Sequence, residues 1–372
     1  MKIQCSGLRF AEALGIASMI APSRGTIPIL QNIKIVADKD AVHLYATDLD
    51  VMLHYKVGNV EVLQQGAVTL PALRTTSIFR EMEKDTVSME VDGQTAKISG
   101  KNSEFKVLGI DPAEFPEFPA SKSESAFFEI LREDFIDMIN KTTFAVSLES
   151  THKYALSGVL MEVKGNELRM VGSDGKRLAL CRKKLPGKDK NKDSVRVIAP
   201  PKSLRLIEKL VLKDEKTVKC LLEENQLKIQ TQNAEIVSKL IEGSFPDYDA
   251  VIPKDNDIKL TLKTGEFHNC IRQASLMTNP EQGKAVKIQL SKNRMTLFTR
   301  VQDVGESTVE MPPVSYNKAE FSVVFNPDYI VDALRAAGTD EITLDLKDSQ
   351  TAGIIKSGKD FTYLVMPLAV PV

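Results

Sequence analysis

The stretch from Leu156 to Leu178 reads LSGVLMEVKGNELRMVGSDGKRL and predicts a β-hairpin. Apolar residues alternate with other residues along both arms, as in strands with one buried face. These apolar residues are Val159, Met161 and Val163 in the first arm, then Leu168 and Met170 in the second. Lys164-Gly165-Asn166 lies between the arms, and because Gly and Asn tolerate positive φ, we expect the turn there.

The same pattern occurs twice more in the chain. Residues 30–52 (LQNIKIVADKDAVHLYATDLDVM) align with it without a gap at an offset of 126 (156 − 30), which places Asp48 on Asp174. A third copy begins at Val286 with VKIQLSKNRMTLF, at an offset of 127 (286 − 159). Offsets near one third of a 372-residue chain predict a tripled domain. We place the three domains at residues 1–120, 121–253 and 254–372.

Each third follows one plan, with about two helices and eight strands, so the predicted fold class is α+β. Each predicted helix has a single apolar stripe, and we therefore expect the helices to lie on one face of the sheets. The predicted helices are Leu8–Ile20, Pro71–Lys84, Arg132–Val146, Lys202–Lys213, Gly265–Met277 and Pro327–Ala337.

Composition limits the classes of function. The formal net charge is −1, so a nucleic-acid binder would need its basic residues segregated on one surface. We find no apolar run long enough to span a bilayer and no signal-peptide pattern, which favours a cytoplasmic protein without a membrane partner. The four cysteines are scattered without a CxxC pair and are expected to be reduced, buried thiols: Cys5, Cys181, Cys220 and Cys270.

Sequence motifs for catalysis are weak. Glycine-rich phosphate-binding motifs are missing, and the four histidines are isolated in sequence. Ser173 lies between glycines, but not at the spacing of a nucleophilic serine. Asp48-Leu49-Asp50 could hold a cation, although turn capping explains this aspartate pattern better. We therefore expect no enzyme, no metal and no cofactor, and keep a hydrolase that uses Ser173 or the aspartates as the least favoured hypothesis.

Basic residues are more informative. Lys202, Arg205, Lys209 and Lys213 fall on one face of a predicted helix, opposite an apolar face. Arg24 lies in a Pro/Gly loop and Arg74 near the start of the second helix, and Tyr154 follows Lys153. Each pattern also has an ordinary explanation. The basic helix face could simply be solvated, Arg24 and Arg74 could be ordinary surface residues, and Tyr154 could pack in the core.

Five separated motifs resemble one family over the whole chain: the bacterial DNA polymerase III β subunit, the replicative sliding clamp. The motifs are FAVS at 144–147, LSGVL at 156–160, SDGKRLA at 173–179, EGSFPDY at 242–248 and YLVMP at 363–367. The resemblance implies a head-to-tail homodimer whose six domains close into a ring around duplex DNA, each with an outer sheet layer and two inner helices. Sequence-independent DNA contacts would come from Arg24, Arg74, Tyr154, Lys202 and Arg205.

The resemblance also implies a pocket for extended peptides of the polymerase α subunit, the clamp loader δ subunit and other partners. Its lining would be Leu156, Ser173, Gly175, Arg177, Leu178, Pro246, Val251, Asn326, Tyr329, Leu364 and Met366. Arg177 and Asn326 would hold polar groups of the peptide, whereas the apolar members could equally be interdomain core. The dimer seam would join Phe105 and Val107 to Leu276 and Met277.

Three departures from the family pattern affect the expected partner affinity. Lys176 stands where the family often has His, Ala250 replaces a common basic residue, and the ending LAVPV lacks the usual basic-leucine pattern. The competing hypothesis is a triplicated, β-rich peptide-binding scaffold that does not encircle DNA.

Overall fold

A computed structural model of the chain describes residues 1–119, 128–147, 154–186, 195–211, 215–278, 284–302, 305–312, 314–316 and 318–369, with Tyr154 described by its backbone only. Its strands and helices are numbered here in chain order. The first third contains β1 (Lys2–Ser6), α1 (Gly7–Ser18), β2 (Asn32–Ala37), β3 (Val42–Thr47), β4 (Val51–Val57), β5 (Glu61–Gln64), β6 (Gly66–Pro71), α2 (Ala72–Glu81), β7 (Thr86–Asp92), β8 (Thr95–Ser99) and β9 (Glu104–Leu108).

The other two thirds follow the same plan. The second contains β10 (Phe128–Leu131), α3 (Arg132–Thr142), β11 (Val159–Lys164), β12 (Glu167–Ser173), β13 (Arg177–Lys184), β14 (Val195–Ala199), α4 (Pro201–Leu210), β15 (Thr217–Leu222), β16 (Gln226–Gln230) and β17 (Ala234–Lys239). The third contains β18 (Ile258–Lys263), α5 (Thr264–Ser275), β19 (Val286–Ser291), β20 (Arg294–Val301), β21 (Gly305–Glu310), β22 (Phe321–Phe325), α6 (Pro327–Ala337), β23 (Glu341–Leu346), β24 (Gly353–Ser357) and β25 (Phe361–Val365).

All six predicted helices are present, and most end earlier than predicted. The helix predicted to reach Val146 ends at Thr142, where φ falls to −125°, and continues as a 3₁₀ turn over Thr143–Ala145. The predicted helix end at Lys213 lies outside the described residues. Helix α6 has the predicted bounds, because Asn326 caps its start and Gly338, at φ +67°, ends it.

The hairpin prediction is confirmed. Strands β11 and β12 pair with Lys164 opposite Glu167, and Gly165 has φ +58° in the turn between them. The apolar positions aligned across the three copies are buried in every copy, which confirms the repeat. These positions are Leu30, Ile33, Ile35, Val42 and Leu44; Leu156, Val159, Met161, Leu168 and Met170; and Val286, Ile288, Met295 and Leu297.

Two compact units make up the chain, and each combines parts of two successive thirds. One comprises Met1–Glu133 and Lys202–Leu240, and the other Asp134–Pro201 and Ile241–Val372. Each unit has an antiparallel eight-stranded sheet with four strands from either third, in the orders β10-β15-β16-β17-β4-β3-β2-β6 and β14-β11-β12-β13-β25-β24-β23-β18. The first unit adds a five-stranded sheet, β5-β1-β7-β8-β9, and the second a four-stranded sheet, β21-β20-β19-β22.

The helices of the first and last thirds pack in pairs against these sheets. In the first unit, α1 and α2 contact each other through the rings of Phe10 and Phe79, 4.7 Å apart, and through a 2.7 Å hydrogen bond between Ser18 and Thr76. Helix α1 also packs on β3 and β4, whereas in the second unit α5 packs on α6 and β20. The apolar stripes of these helices therefore face the sheets, as predicted.

Asp48 and Asp174 cap equivalent turns, which confirms the turn-capping interpretation. The Oδ1 atom of Asp48 accepts hydrogen bonds from the amides of Asp50 and Val51, at 3.1 and 2.8 Å. Asp174 accepts the matching pair from Lys176 and Arg177, at 2.9 and 3.0 Å. Ser173 belongs to the same turn, where its Oγ donates to the carbonyl of Arg177, at 2.8 Å.

The cysteines follow their prediction only in part, and two of the histidines form a pair. All four cysteines are free thiols, but Cys270 is half-buried rather than buried. Two histidines that are isolated in sequence lie together in space, because the neighbouring strands β3 and β4 bring His43 Nδ1 within 2.8 Å of His54 Nε2. His43 Nε2 in turn lies 2.9 Å from the carboxylate of Asp38. No described helix is long and apolar enough to cross a membrane.

The His43–His54 pair predicts a pH-dependent stability. Burial, with the charges of His43 and Lys56, lowers the pKa of His54 below its usual 6.5. The unfolded chain therefore takes up a proton first as the pH falls, so the free energy of unfolding decreases as the pH drops through 6.5 and levels off below the folded-state pKa. Thermal melting between pH 7.5 and 5 should show this slope, and His54→Gln should flatten it; an unchanged slope in the variant contradicts the assignment.

Candidate nucleic-acid interface and peptide pocket

Helix α4 has the two-sided character that its sequence predicts. Lys202, Arg205 and Lys209 are exposed, whereas Leu204, Leu206, Ile207 and Leu210 are buried. Lys202 also pairs with Asp48 at 2.5 Å. Lys213, the fourth predicted member of the basic face, lies outside the described residues. The solvent face of this helix is therefore positively charged.

The other predicted DNA contacts lie outside α4, on a loop, on α2 and on a 3₁₀ turn. Arg24 is exposed in the loop after α1, and Arg74 is exposed in the first turn of α2. Tyr154 begins a 3₁₀ turn that ends at Ser157, and only its backbone is described. Between the Arg24 loop and α2 lies an open cavity of about 650 Å³ that Arg74 helps to line.

Four further exposed cations on the helices were missed by sequence reasoning. They are Arg9 on α1, Arg80 on α2, Arg272 on α5 and Arg335 on α6. Each lies off the apolar stripe of its helix, and that position is the signal that could have found them. Exposed positive charge thus occurs on helices of all three thirds.

The predicted peptide pocket divides into a buried floor and an exposed rim. Leu156, Leu178 and Leu364 are at least 93% buried and belong to one apolar cluster. The cluster also contains Leu160, Val171, Leu180, Ile198, Phe245, Tyr248, Ala352 and Ile354. Strand pairing places Leu178 directly opposite Leu364 across the β13–β25 junction. The core interpretation therefore holds for these three leucines.

The rim consists of residues that face solvent. Val251 is 57% exposed and Met366 is 47% exposed, and Pro246 and Gly175 are also exposed. Gly175 has φ +85°, so it supplies the left-handed residue of the turn that follows β12. Large apolar side chains beside a buried leucine floor form a surface that can accept apolar groups of a ligand.

Arg177 and Asn326 also make hydrogen bonds within the chain. The guanidinium of Arg177 donates to Asp174 at 3.0 Å, to Asp332 at 2.6 Å and to the carbonyl of Phe144 at 2.9 Å. It also stacks over the half-buried ring of Tyr329, 4.5 Å from the centroid. The Asn326 side-chain oxygen accepts from the amide of Asp328, at 3.0 Å, and so caps α6.

A buried polar network next to the pocket was also missed by sequence reasoning. The Tyr248 hydroxyl donates to the buried carboxylate of Glu162 at 2.5 Å, and Arg169 donates to that hydroxyl at 3.3 Å. Burial raises the pKa of Tyr248 to about 12, so the phenol stays protonated and donates at neutral pH. The network fixes the segment between Pro246 and Val251, because Tyr248 lies within it. Glu162 and Arg169 face each other across the β11–β12 hairpin, whereas Tyr248 is 86 residues from Glu162 in the chain, a distance over which sequence spacing gives no signal.

Arg177 gives a stability prediction. Arg177→Gln removes a charge that is paired with Asp174 and Asp332 in a largely buried setting, so we expect a loss of about 3 kcal/mol in the free energy of unfolding. Urea denaturation measures this loss in the free energy of unfolding. The matched control is Arg335→Gln on the exposed face of α6, which should change the stability little. Equal losses in the two variants contradict this role for Arg177.

Three of the four predicted dimer residues lie at the surface. Phe105 lies on β9, an edge strand of the five-stranded sheet, and Leu276 (79% exposed) and Met277 follow α5 at the surface. Val107 is only 4% exposed and packs within its own third, so its predicted place on a seam is corrected. Leu108, which sequence reasoning passed over, is 75% exposed at the end of β9.

In the described residues, no group of three or more His, Cys, Asp or Glu side chains is placed to hold a metal ion. Ser173 donates within its turn and accepts from the amide of Gly175, at 3.2 Å. These contacts give Ser173 a structural role.

Comparison with known proteins places the chain in a family. Family models described as the N-terminal, central and C-terminal domains of the DNA polymerase III beta subunit match residues 1–119, 129–247 and 249–369. The curated beta sliding clamp of Rickettsia felis is 31% identical, and the alignment covers 96% of this chain and 97% of that protein.

Solved structures agree with these matches. The DNA polymerase sliding clamp of Bacillus subtilis is 26% identical with a TM-score of 0.93, and both chains are covered completely. A sliding clamp (DNA polymerase III subunit beta) of Bartonella birtlesii bound to griselimycin is 27% identical with a TM-score of 0.91, again over the full length of both chains. The chain therefore belongs to the bacterial DNA polymerase III beta subunit family, the β sliding clamps.

Proposed function

We propose that two copies of this chain close head to tail into a ring that encircles duplex DNA and tethers the replicative polymerase to it. The observation that carries this proposal is the order of three family domains along one chain, each third with two helices. Two chains then supply six domains and twelve helices. A head-to-tail contact closes into a ring when its rotation fits the number of copies.

A ring has little need of tight DNA binding, since topology holds it in place. Weak phosphate contacts that ignore sequence allow sliding, which fits a net charge of −1 combined with cations on exposed helix faces. We assign these contacts to Arg24, Arg74, Lys202 and Arg205, with Tyr154 as an aromatic contact. We add Lys209, which is exposed one turn after Arg205 on the same face of α4. The protein acts in this proposal as a cytoplasmic, non-catalytic tether without cofactors.

We further propose that the rim of Pro246, Val251 and Met366, with the leucine floor beneath it, binds extended peptides of partner proteins. These partners are the polymerase α subunit, the clamp loader δ subunit and other proteins with such a peptide. Methionine adapts to ligands of different shape, which suits a shared site. The relative from Bartonella birtlesii was solved with griselimycin bound, which supports ligand binding in this family.

The peptide site gives a direct prediction. Met366→Asp should weaken binding of the peptide acetyl-Ala-Leu-Asp-Leu-Phe-amide to this rim by about 10- to 100-fold, because burying a methionine side chain contributes about 1.5–3 kcal/mol. Isothermal titration measures the affinity. Met19→Asp, at a similarly exposed methionine of the first third, is the control. An unchanged affinity in the Met366 variant contradicts the assignment of this site.

The ring itself is tested by the solution mass. Light scattering over a dilution series should give a species of twice the 41.2 kDa chain. A monomer that persists at high concentration removes the six-domain closure and favours the competing hypothesis, a peptide-binding scaffold that does not encircle DNA.

A further inference from the structure

The two compact units build the same strand junction, β4 with β17 in one and β13 with β25 in the other. Two backbone hydrogen bonds flank each junction at matching positions. In the first unit they run from Lys239 N to Asp50 O (2.8 Å) and from Lys56 N to Asn233 O (2.8 Å). In the second they run from Met366 N to Lys176 O (2.9 Å) and from Arg182 N to Asp360 O (2.9 Å). The offset between matching residues is 126 or 127 throughout.

The turns beside the junctions also match. The amide of Leu49 donates to Thr47 Oγ1 at 2.9 Å, as the amide of Gly175 donates to Ser173 Oγ at 3.2 Å. Leu49 has φ +73° and Gly175 has φ +85°. The surface next to the first junction is therefore the structural counterpart of the proposed peptide pocket next to the second.

Four apolar residues of the pocket have apolar counterparts in the first unit. Leu156, Leu178, Leu364 and Pro246 correspond to Leu30, Met52, Val237 and Pro116. Leu30 and Val237 are buried as their counterparts are, and Met52 and Pro116 are half-buried. The linker aromatics match as well, since Phe118 contacts Tyr45 and His54 while Tyr248 joins the cluster of Val171 and Leu180.

Leu49 shows a feature that folding alone does not explain. A leucine in the left-handed region costs about 1–2 kcal/mol, and glycine fills the matching position at the second junction. The Leu49 side chain is nevertheless 41% exposed. A strained residue that presents an apolar side chain to water is the kind found at binding sites.

Charge distinguishes the two sites. Lys239 replaces Met366, and its side chain is 67% exposed. Its ammonium lies 3.8 Å from the carboxylate of Asp50, which is itself exposed. Such a surface pair contributes little to stability, so a ligand carboxylate can replace Asp50 as the partner of Lys239.

We propose that the first unit carries a second peptide-docking site, formed by Leu30, Leu49, Met52, Pro116, Val237 and Lys239. Its occupant is an extended segment of a partner protein with a leucine-like anchor beside an acidic residue. The anchor contacts the apolar residues, and the acidic residue pairs with Lys239. This inference rests on the proposed function, because the class of occupant follows from the equivalence with the proposed pocket of the second unit.

Isothermal titration with two peptides tests the proposal: acetyl-Ala-Leu-Asp-Leu-Phe-amide and its counterpart with lysine in place of aspartate. The aspartate peptide should bind at two sites per chain. One site should remain in Met366→Asp, and in that background Lys239→Glu should weaken the remaining site about tenfold. Lys219→Glu, at an exposed lysine of β15, is the matched control and should leave it unchanged. The lysine peptide should bind this remaining site more weakly than the aspartate peptide.

Leu49→Gly separates a binding role from a folding role. It should raise the melting temperature, because glycine adopts φ +73° without strain, while it weakens the site that remains in Met366→Asp. If the unmodified protein binds the peptide at one site per chain and Met366→Asp abolishes this binding, the second site is ruled out. The proposed pocket then remains supported. Binding at no site overturns the proposed pocket, and the second site with it.

Discussion

Replacing Arg205 and Lys209 by glutamate is expected to weaken the binding of this protein to duplex DNA strongly. Both side chains are exposed on α4, away from its buried leucines. Each lost phosphate contact should reduce the slope of log K against log salt concentration by about 0.9, because fewer counterions are released. Lys202 is left unchanged in this variant, since its removal would also leave the Asp48 carboxylate without its ion-pair partner.

Fluorescence anisotropy of a labelled duplex over a salt series measures the effect. Lys219 and Lys259 are exposed on sheet strands and not on helices, so replacing both by glutamate changes the net charge equally and is the control. The control should bind almost as the unmodified protein does. If the two variants lose the same affinity, the effect comes from net charge and the helix assignment is wrong.

The second large effect is expected at the dimer seam, which we propose joins the end of β9, where Leu108 is exposed, to Leu276 after α5. In Leu108→Asp combined with Leu276→Asp, each seam of the ring would bury carboxylates among apolar groups, at a cost of about 4 kcal/mol. The dimerisation constant should fall by about a thousandfold for each seam. Light scattering should therefore find the 41.2 kDa chain where the unmodified protein gives twice that mass.

Leu63→Asp is the matched control for the seam variant. Leu63 is similarly exposed and lies on β5, at the opposite edge of the same five-stranded sheet as Leu108. It should leave the dimer intact. A dimer that survives in the Leu108/Leu276 variant, or one that is lost in the control, places the seam elsewhere on the chain.

The repeat and the helices could be predicted from sequence because they depend on local patterns. A period of two marks strands such as β11, and an apolar stripe marks helices such as α4. The capping role of Asp48 was also predictable, since Asx turns use neighbouring amides. Helix ends were less accurate: the last turn of α3 changes to 3₁₀ geometry without a proline or glycine at Thr142.

Long-range pairings were not predictable from local pattern. The β4–β17 and β13–β25 junctions form through backbone hydrogen bonds, which have no residue signature, so the sheets that cross the thirds went unseen. The same limit hid the hydrogen bond between Glu162 and Tyr248, which are 86 residues apart. For Arg177, only the structure reveals that Asp332, 155 residues away, engages its guanidinium.

Retention on circular and linear DNA tests the encircling ring most directly. The protein is loaded onto a nicked circle, separated from free protein by gel filtration, and half of the sample is then linearised. An encircling ring should stay on the circle and slide off the linear molecule, at a salt concentration where direct binding is weak. Equal retention on both forms would contradict encirclement and indicate ordinary binding to the DNA surface.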